Sequence, residues 1–155
     1  MIRFIARALI IAWALWFGGI VMLFLCAQAL FIRFSDRQIA GAAASSLFLV
    51  FERYQLILAA IAIVAAVIWR WLAPSRRKTA FFILLSVAAV AAVASAGIVT
   101  PRLEAMRLAG TTKQPAFAHL HGLSMILLTA EALVLLVAGL LWAWQPDPPA
   151  RPRET

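Results

Sequence analysis

Four long apolar runs, separated by short charged segments, constrain this chain more than any other feature. Residues 8–32, 54–69 and 80–100 contain no charged side chain, and residues 122–145 contain only Glu131. A helix needs about 20 apolar residues to span the hydrocarbon of a bilayer. The second run has only 16 residues. We therefore predict that its helix also includes residues 47–51, with Glu52 at its outer start near the membrane edge.

Composition indicates an integral membrane protein. Of the 155 residues, 65% are hydrophobic and 13% charged, and the mean hydropathy is +0.97. A soluble domain cannot carry so much apolar surface. We predict one all-α domain over residues 1–145, a bundle of four transmembrane helices, followed by a Pro-rich basic tail over 146–155. The predicted helices cover about residues 5–32, 47–72, 79–100 and 120–145.

Local signals refine these boundaries. Residues 27–29 resemble a signal-peptide cleavage site, but the first apolar run is too long for a signal peptide, so we predict a retained helix. Pro101 is predicted to close the third helix, because proline disrupts a helix interior. A short amphipathic turn over residues 102–107 and a break at Gly110 are predicted to follow.

The basic residues favour termini on the cytoplasmic side. That topology places eight Lys and Arg residues inside and six outside. The rule that Lys and Arg concentrate on the cytoplasmic side acts most strongly on short loops such as the one with Arg76, Arg77 and Lys78. The net charge of +8 is thus a signal of topology and anionic-lipid contact, and nucleic acid is not predicted as a partner. We expect a multi-pass protein of the bacterial inner membrane, in contact with the lipid bilayer. A homo-oligomer or a membrane-protein partner stays open.

Glu131 is the leading candidate site residue. A carboxylate near the middle of an apolar helix costs several kcal/mol unless it is paired, protonated or hydrated. His121, Ser124 and Glu131 are spaced so that they share one helix face. We predict that Glu131 points into the bundle without a cationic partner. His121 and Ser124 are predicted to face the bundle interior.

Other polar residues fall in the outward halves of the predicted helices. They are Gln28 in the first, Glu52 and Gln55 in the second, and Ser95 and Thr100 in the third. We predict that they line a vestibule that opens outward and ends at Glu131, with Gln28, Glu52 or Gln55 nearest to His121. Ala88, Ala92 and Ala96 recur every four residues, a pattern that predicts close contact with another helix.

Several segments resemble one known family, that typified by transmembrane protein 205. They are Trp16-Phe17-Gly18-Gly19, Thr100-Pro101-Arg102 with Met106-Arg107, and Phe117 followed by Leu120-His121-Gly122-Leu123-Ser124-Met125. The resemblance covers nearly the whole chain, and bacterial members are usually labelled as a domain of unknown function. It implies a four-helix membrane fold and, for the human member, an association with drug resistance and export. It implies no catalytic residue.

No enzyme, cofactor or metal site is predicted. His119 and His121 share one segment and point apart, so one chain cannot supply both imidazoles of a haem. The sequence shows no phosphate loop or paired-cysteine motif, and the single cysteine, Cys26, rules out an internal disulfide. Two functions remain. We favour a structural or assembly component of the membrane; the alternative is a small proton-coupled transporter or permeability and resistance factor that uses Glu131.

Overall fold

The computed structural model describes residues 2–144, and all regular structure in that range is helical. The elements are α1 (Ile2–Arg33), α2 (Arg37–Leu72), α3 (Arg76–Ala94), a π-helical turn (Ser95–Val99), α4 (Thr100–Leu108) and α5 (Pro115–Ala143). The third, fourth and fifth of these run together as one helix, Arg76–Leu108. Four helices are thus long and apolar enough to cross a membrane, which confirms the predicted all-α, four-span fold. The predicted tail over 146–155 lies outside the described residues.

The helices form a ring in which α1 and α3 each pack against both α2 and α5. Short connections make consecutive helices antiparallel neighbours. In α5 a single stripe is buried: Ser124, Leu128, Glu131, Leu135 and Ala138. The opposite faces of the helices are apolar and exposed, for example Val90 and Ile126. These faces contact the lipid bilayer, because no other solvent suits them.

All four helices begin earlier than predicted, and α2 and α5 differ most. α2 starts at Arg37 and not near residue 47, because the Asp36 side chain accepts hydrogen bonds from the backbone N–H groups of Gln38 and Ile39. Aspartate at this position satisfies free N–H groups of the first turn. Glu52 is therefore a buried mid-helix residue and not the start of the helix, so that prediction was wrong. α5 starts at Pro115 and not near residue 120, since proline suits the first helical position.

Pro101 does not end the third helix, contrary to the sequence prediction. In an α-helix its ring would clash with the carbonyl group four residues earlier. Here the π-helical turn precedes it, and the N–H of Thr100 bonds the carbonyl of Ser95, five residues back. The wider turn accommodates the ring, and the helix continues as α4. α4 ends at Leu108, and the predicted break follows at Gly110, where φ is +69°, a conformation that favours glycine.

The predicted small-residue stripe is buried over two of its three positions. Ala88 and Ala92 have no exposed surface, consistent with the close approach of a neighbouring helix. Ala96 is only half-buried, and Ser95 takes the buried position instead. The π-helical turn begins at Ser95 and changes the angular step of the helix there. The every-fourth-residue pattern therefore loses its register at Ala96.

Candidate intramembrane polar site

Glu131 is buried in the bundle core and bonded to a tryptophan of α1. The indole Nε1–H of Trp16 donates to Oε1 of Glu131 at 2.7 Å, and the two residues are 0% and 1% exposed. One turn further along α5, the carbonyl of Leu135 accepts a bond of 2.8 Å from Trp13 Nε1. Two indoles thus join α1 to α5. We refer to Trp16 and Glu131 as the Glu131 pair.

Glu52 is held by two hydroxyl groups of the long third helix. Its Oε1 accepts hydrogen bonds from Ser95 Oγ at 3.1 Å and from Thr100 Oγ1 at 2.6 Å. Residues five apart in an α-helix point about 140° away from each other. A π-helical turn, with bonds spanning five residues, brings such residues back to one side. The π-helical turn therefore allows both hydroxyls to reach one carboxyl oxygen.

Gln55 lies one turn after Glu52 on the same face of α2. It is 1% exposed, and within residues 2–144 its Oε1 has no hydrogen-bond partner. The Phe51 ring packs against Gly19 of α1, so the antiparallel direction places Gln55 near the level of Trp16. The core therefore holds several polar groups at neighbouring levels.

We give the name Glu52 cluster to four buried residues that carry side-chain oxygen atoms: Glu52, Gln55, Ser95 and Thr100. Within residues 2–144, neither Glu52 nor Glu131 forms an ion pair; the salt bridge found there joins Arg107 to Glu104. Both carboxyl groups are thus bonded by neutral donors alone.

A cavity of about 300 Å³ opens at the end of the bundle formed by the connections 34–36 and 109–114. Its polar lining comes from α1, α2, α4 and α5: Gln28, Ser45, Thr100, Glu104, Arg107, His121 and Ser124. Thr100 belongs to both the cavity wall and the Glu52 cluster. Leu128 also lines the cavity, and Glu131 follows it by one turn on the same face of α5. We call this end the open end.

The rim of the cavity is tied together by α4. Ser45 Oγ on α2 donates to Glu104 Oε1 at 2.6 Å, and Arg107 pairs with Glu104 at 3.6 Å. The Arg107 guanidinium also lies 5.8 Å from the centre of the Phe117 ring of α5. Sequence analysis did not identify these residues as part of the site. The spacing of Glu104 and Arg107, three apart on a helix, was the available signal.

The opposite end, formed by Ile2, residues 73–75 and Ala143, is filled with aromatic rings; we call it the closed end. The Trp142 ring is tilted against the rings of Trp69 and Phe81, at 4.9 Å and 5.6 Å between ring centres. Lys78 covers this group, with its Nζ 4.5 Å from the Trp69 ring centre. Gly139 lies against the Trp13 ring so closely that a Cβ atom there would overlap it.

The structure brings together only part of the predicted vestibule. Gln28, His121 and Ser124 line the same cavity, with Ser124 buried and His121 exposed and stacked on Phe117. His121 thus lies at the cavity margin, on the same cavity wall as Gln28. Glu52 and Gln55 lie in the core and not on the cavity wall. The sequence analysis did not predict the bond from Trp16 to Glu131.

One family model matches the chain. Residues 11–112 match the family described as Domain of unknown function (DUF4149). The chain belongs to this family. The matched range contains Trp16 and the whole Glu52 cluster, whereas Glu131 lies beyond it. No curated protein and no solved structure matches the chain. It is therefore a multi-pass membrane protein of an uncharacterised family.

Proposed function

We propose that this chain is a small, non-enzymatic membrane transporter in which Glu131 exchanges protons and the open-end cavity admits a cation. The observation that carries the proposal is the arrangement of two buried carboxyl groups, without an ion pair in residues 2–144, below a cavity whose mainly apolar wall includes seven polar residues. Ionisable groups inside membrane proteins commonly mark ion pathways and proton relays. A carboxyl group bonded only by neutral donors can gain or lose a proton without breaking a salt bridge.

A route from the cavity to both carboxyl groups supports this proposal. Thr100 lines the cavity, and its hydroxyl bonds Glu52, so this residue links the two. Leu128 is the residue of α5 between the cavity and Glu131. Its side chain is apolar and only 5% exposed. In this mechanism Leu128 separates Glu131 from water, and movement of α5 relative to α1 opens the path.

The closed end supports an alternating mechanism. Its aromatic rings fill the space between α2, α3 and α5, so ions cannot pass straight through in this state. Transporters work by opening one side of a central site at a time. The structure then corresponds to a state that faces the open end, and transport requires separation of the rings around Trp142.

Flux in liposomes tests the proposal. Purified protein is reconstituted with a trapped pH-sensitive dye, and a cation gradient is imposed from the outside. We expect cation-dependent proton flux for the unmodified chain and its loss in Glu131→Gln, which cannot exchange a proton. The matched control is Asp36→Asn, an acid-to-amide change that keeps a good helix cap and should retain flux. Absence of flux in the unmodified chain, or full flux in Glu131→Gln, would overturn the proposal.

A structural or assembly role is the second candidate. It is supported by the cross-helix bonds of the buried carboxyl groups, because Trp16 to Glu131 joins α1 to α5 and Ser95 and Thr100 join the third helix to α2. Under this role Glu131→Gln, which keeps an oxygen acceptor for Trp16, should be silent in flux and in stability. Glu131→Leu should lower stability.

The resemblance to the family of transmembrane protein 205 supports an export or resistance role, and we propose a bacterial inner membrane location with cytoplasmic termini. Labelling tests the topology in a Cys26→Ala background. Ser75→Cys should react only with reagent admitted to the cytoplasm, and Ser35→Cys only with reagent added outside. The reverse pattern would contradict the proposed orientation.

A further inference from the structure

The Glu52 cluster has the composition of a cation site. Its members present one carboxyl group, one amide oxygen and two hydroxyl oxygens, and all four residues are between 1% and 5% exposed. The Oε1 atom of Gln55 is the unusual member, because it is buried without a hydrogen-bond partner within residues 2–144. A buried amide oxygen left unpaired is destabilising relative to a paired one. Such an oxygen atom has lone pairs available to coordinate a cation.

The geometry of the hydroxyl groups leaves lone pairs for that ligand. Both Ser95 and Thr100 donate to the same atom, Oε1 of Glu52. A hydroxyl that donates its proton retains two acceptor lone pairs. Each hydroxyl can therefore hold the carboxylate and coordinate a cation at once. Gln55 lies one helical turn from Glu52 and is buried on the same face of α2.

The π-helical turn adds a second feature of ion sites in membranes. Pro101 has no N–H, and the Thr100 N–H bonds Ser95 five residues back, so the regular four-residue ladder is interrupted beside the cluster. Interrupted helices that expose carbonyl oxygens commonly form cation sites in transporters. π-helical turns are themselves frequent at functional sites. Ser95 is the first residue of the π-helical turn, and Thr100 directly follows its last residue. Both hydroxyl residues of the cluster therefore lie at the interruption.

We infer that the Glu52 cluster binds a monovalent alkali cation of the Na⁺ class, reached from the open-end cavity through Thr100. Oxygen-only ligands select hard cations over transition metals. The single carboxylate of the cluster matches a single positive charge. Ca²⁺ sites need six to eight oxygen ligands, and Mg²⁺ keeps several waters, neither of which suits four nearly fully buried residues. The cation would leave the cluster neutral in the membrane interior.

This inference deepens the proposed function by naming the coupling ion, but binding is measured without any transport. The full chain is purified in detergent, and its thermal unfolding is followed by tryptophan fluorescence in sodium, potassium or choline chloride at equal ionic strength. Ligands that bind only the folded state raise the unfolding temperature. We expect a rise of several degrees in sodium over choline, and saturable binding of radioactive sodium.

Variants locate the binding. Gln55→Leu and Thr100→Val remove one oxygen each at nearly constant volume, and each should abolish the sodium-specific rise and reduce sodium affinity at least about tenfold. Ser95→Ala provides a third variant if either fails to fold. The matched control is Ser86→Ala, since the Ser86 hydroxyl of α3 bonds the carbonyl of Phe82 in its own helix. This control should bind sodium as the unmodified chain does.

Three outcomes would overturn the inference: equal unfolding temperatures in sodium and choline with no saturable binding, stabilisation by Mg²⁺ or Ca²⁺ in place of sodium, or unchanged binding in both Gln55→Leu and Thr100→Val. Sodium binding without flux would keep the cation site and contradict the transport proposal. Proton flux without sodium binding would keep the transport proposal and contradict the cation site. The two proposals are therefore tested separately.

Discussion

The two ends of the bundle are built on opposite principles. At the open end α4 forms part of the wall of a cavity that contains polar side chains. The contacts between helices there include single hydrogen bonds such as that from Ser45 to Glu104. At the closed end, Trp69, Phe81 and Trp142 fill the interior with touching rings. The same four helices form both ends, so the difference lies in the side chains and not in the fold.

The comparison indicates where stability and function are located. Dispersion contacts between close-packed rings are the main stabilising interaction inside a membrane, since lipid tails are as apolar as the side chains. The closed end therefore holds the helices together. The open end has fewer packed atoms and more polar groups, so it can change shape and admit ligands. The Glu131 pair and the Glu52 cluster lie between the two.

The largest expected effect is at the closed end. Phe81 is 1% exposed, and Phe81→Ala should lower the free energy of unfolding by about 3 to 5 kcal/mol, the usual result of deleting a fully buried aromatic ring. The matched control is Phe31→Ala at the open end, where Phe31 is 49% exposed. Unfolding in mixed detergent measures both. Equal losses would contradict the division between the two ends.

Two glycines of α5 sharpen the comparison. Gly139→Ala places a Cβ atom into the Trp13 ring and should destabilise by up to about 3 kcal/mol through overpacking. Gly122, nearer the open end, has no atom within 4 Å of an added Cβ. Gly122→Ala should stabilise the helix by about 0.5 to 1 kcal/mol. Thermal unfolding of the two variants should therefore shift in opposite directions, and a shift of the same sign would disprove this packing difference.

Trp16→Phe tests the core between the two ends. The change keeps an aromatic ring but removes the N–H that donates to Glu131, and should cost about 1 to 2 kcal/mol because a buried acceptor is left unpaired. The same change in a Glu131→Leu background should cost less, since no acceptor remains. Additive losses in this double-mutant cycle would show that the bond contributes nothing.

The smallest expected effect is at the cavity rim. Ser45→Ala removes the bond to Glu104 and should cost about 1 kcal/mol, measured by thermal unfolding. Its neighbour offers a control, because the Ser46 hydroxyl bonds the carbonyl of Ala42 in its own helix. Ser46→Ala should be nearly neutral. A larger loss of stability for Ser46→Ala than for Ser45→Ala would contradict the assignment of the contact between α2 and α4 to Ser45.

The sequence by itself determined the architecture. Apolar runs of sufficient length can cross a membrane only as helices, because backbone groups cannot go unpaired in lipid. The spacing of His121, Ser124 and Glu131 also identified the buried face of α5 from Ser124 onward, since the helical period is fixed, whereas His121 lies at its exposed end. Gly110 marked the end of α4 for an equally local reason. Each of these conclusions depends on residues close together along the chain.

Only the tertiary structure decided the partners of the buried polar groups. Trp16 and Glu131 are 115 residues apart, and their meeting depends on the rotation and register of α1 against α5, which no local pattern encodes. The π-helical turn also depends on contacts between helices. Pro101 alone predicts a helix end, whereas the bonds of Ser95 and Thr100 to Glu52 stabilise a widened turn that continues. Local spacing fixes which face of a helix is buried, and packing between helices fixes what that face meets.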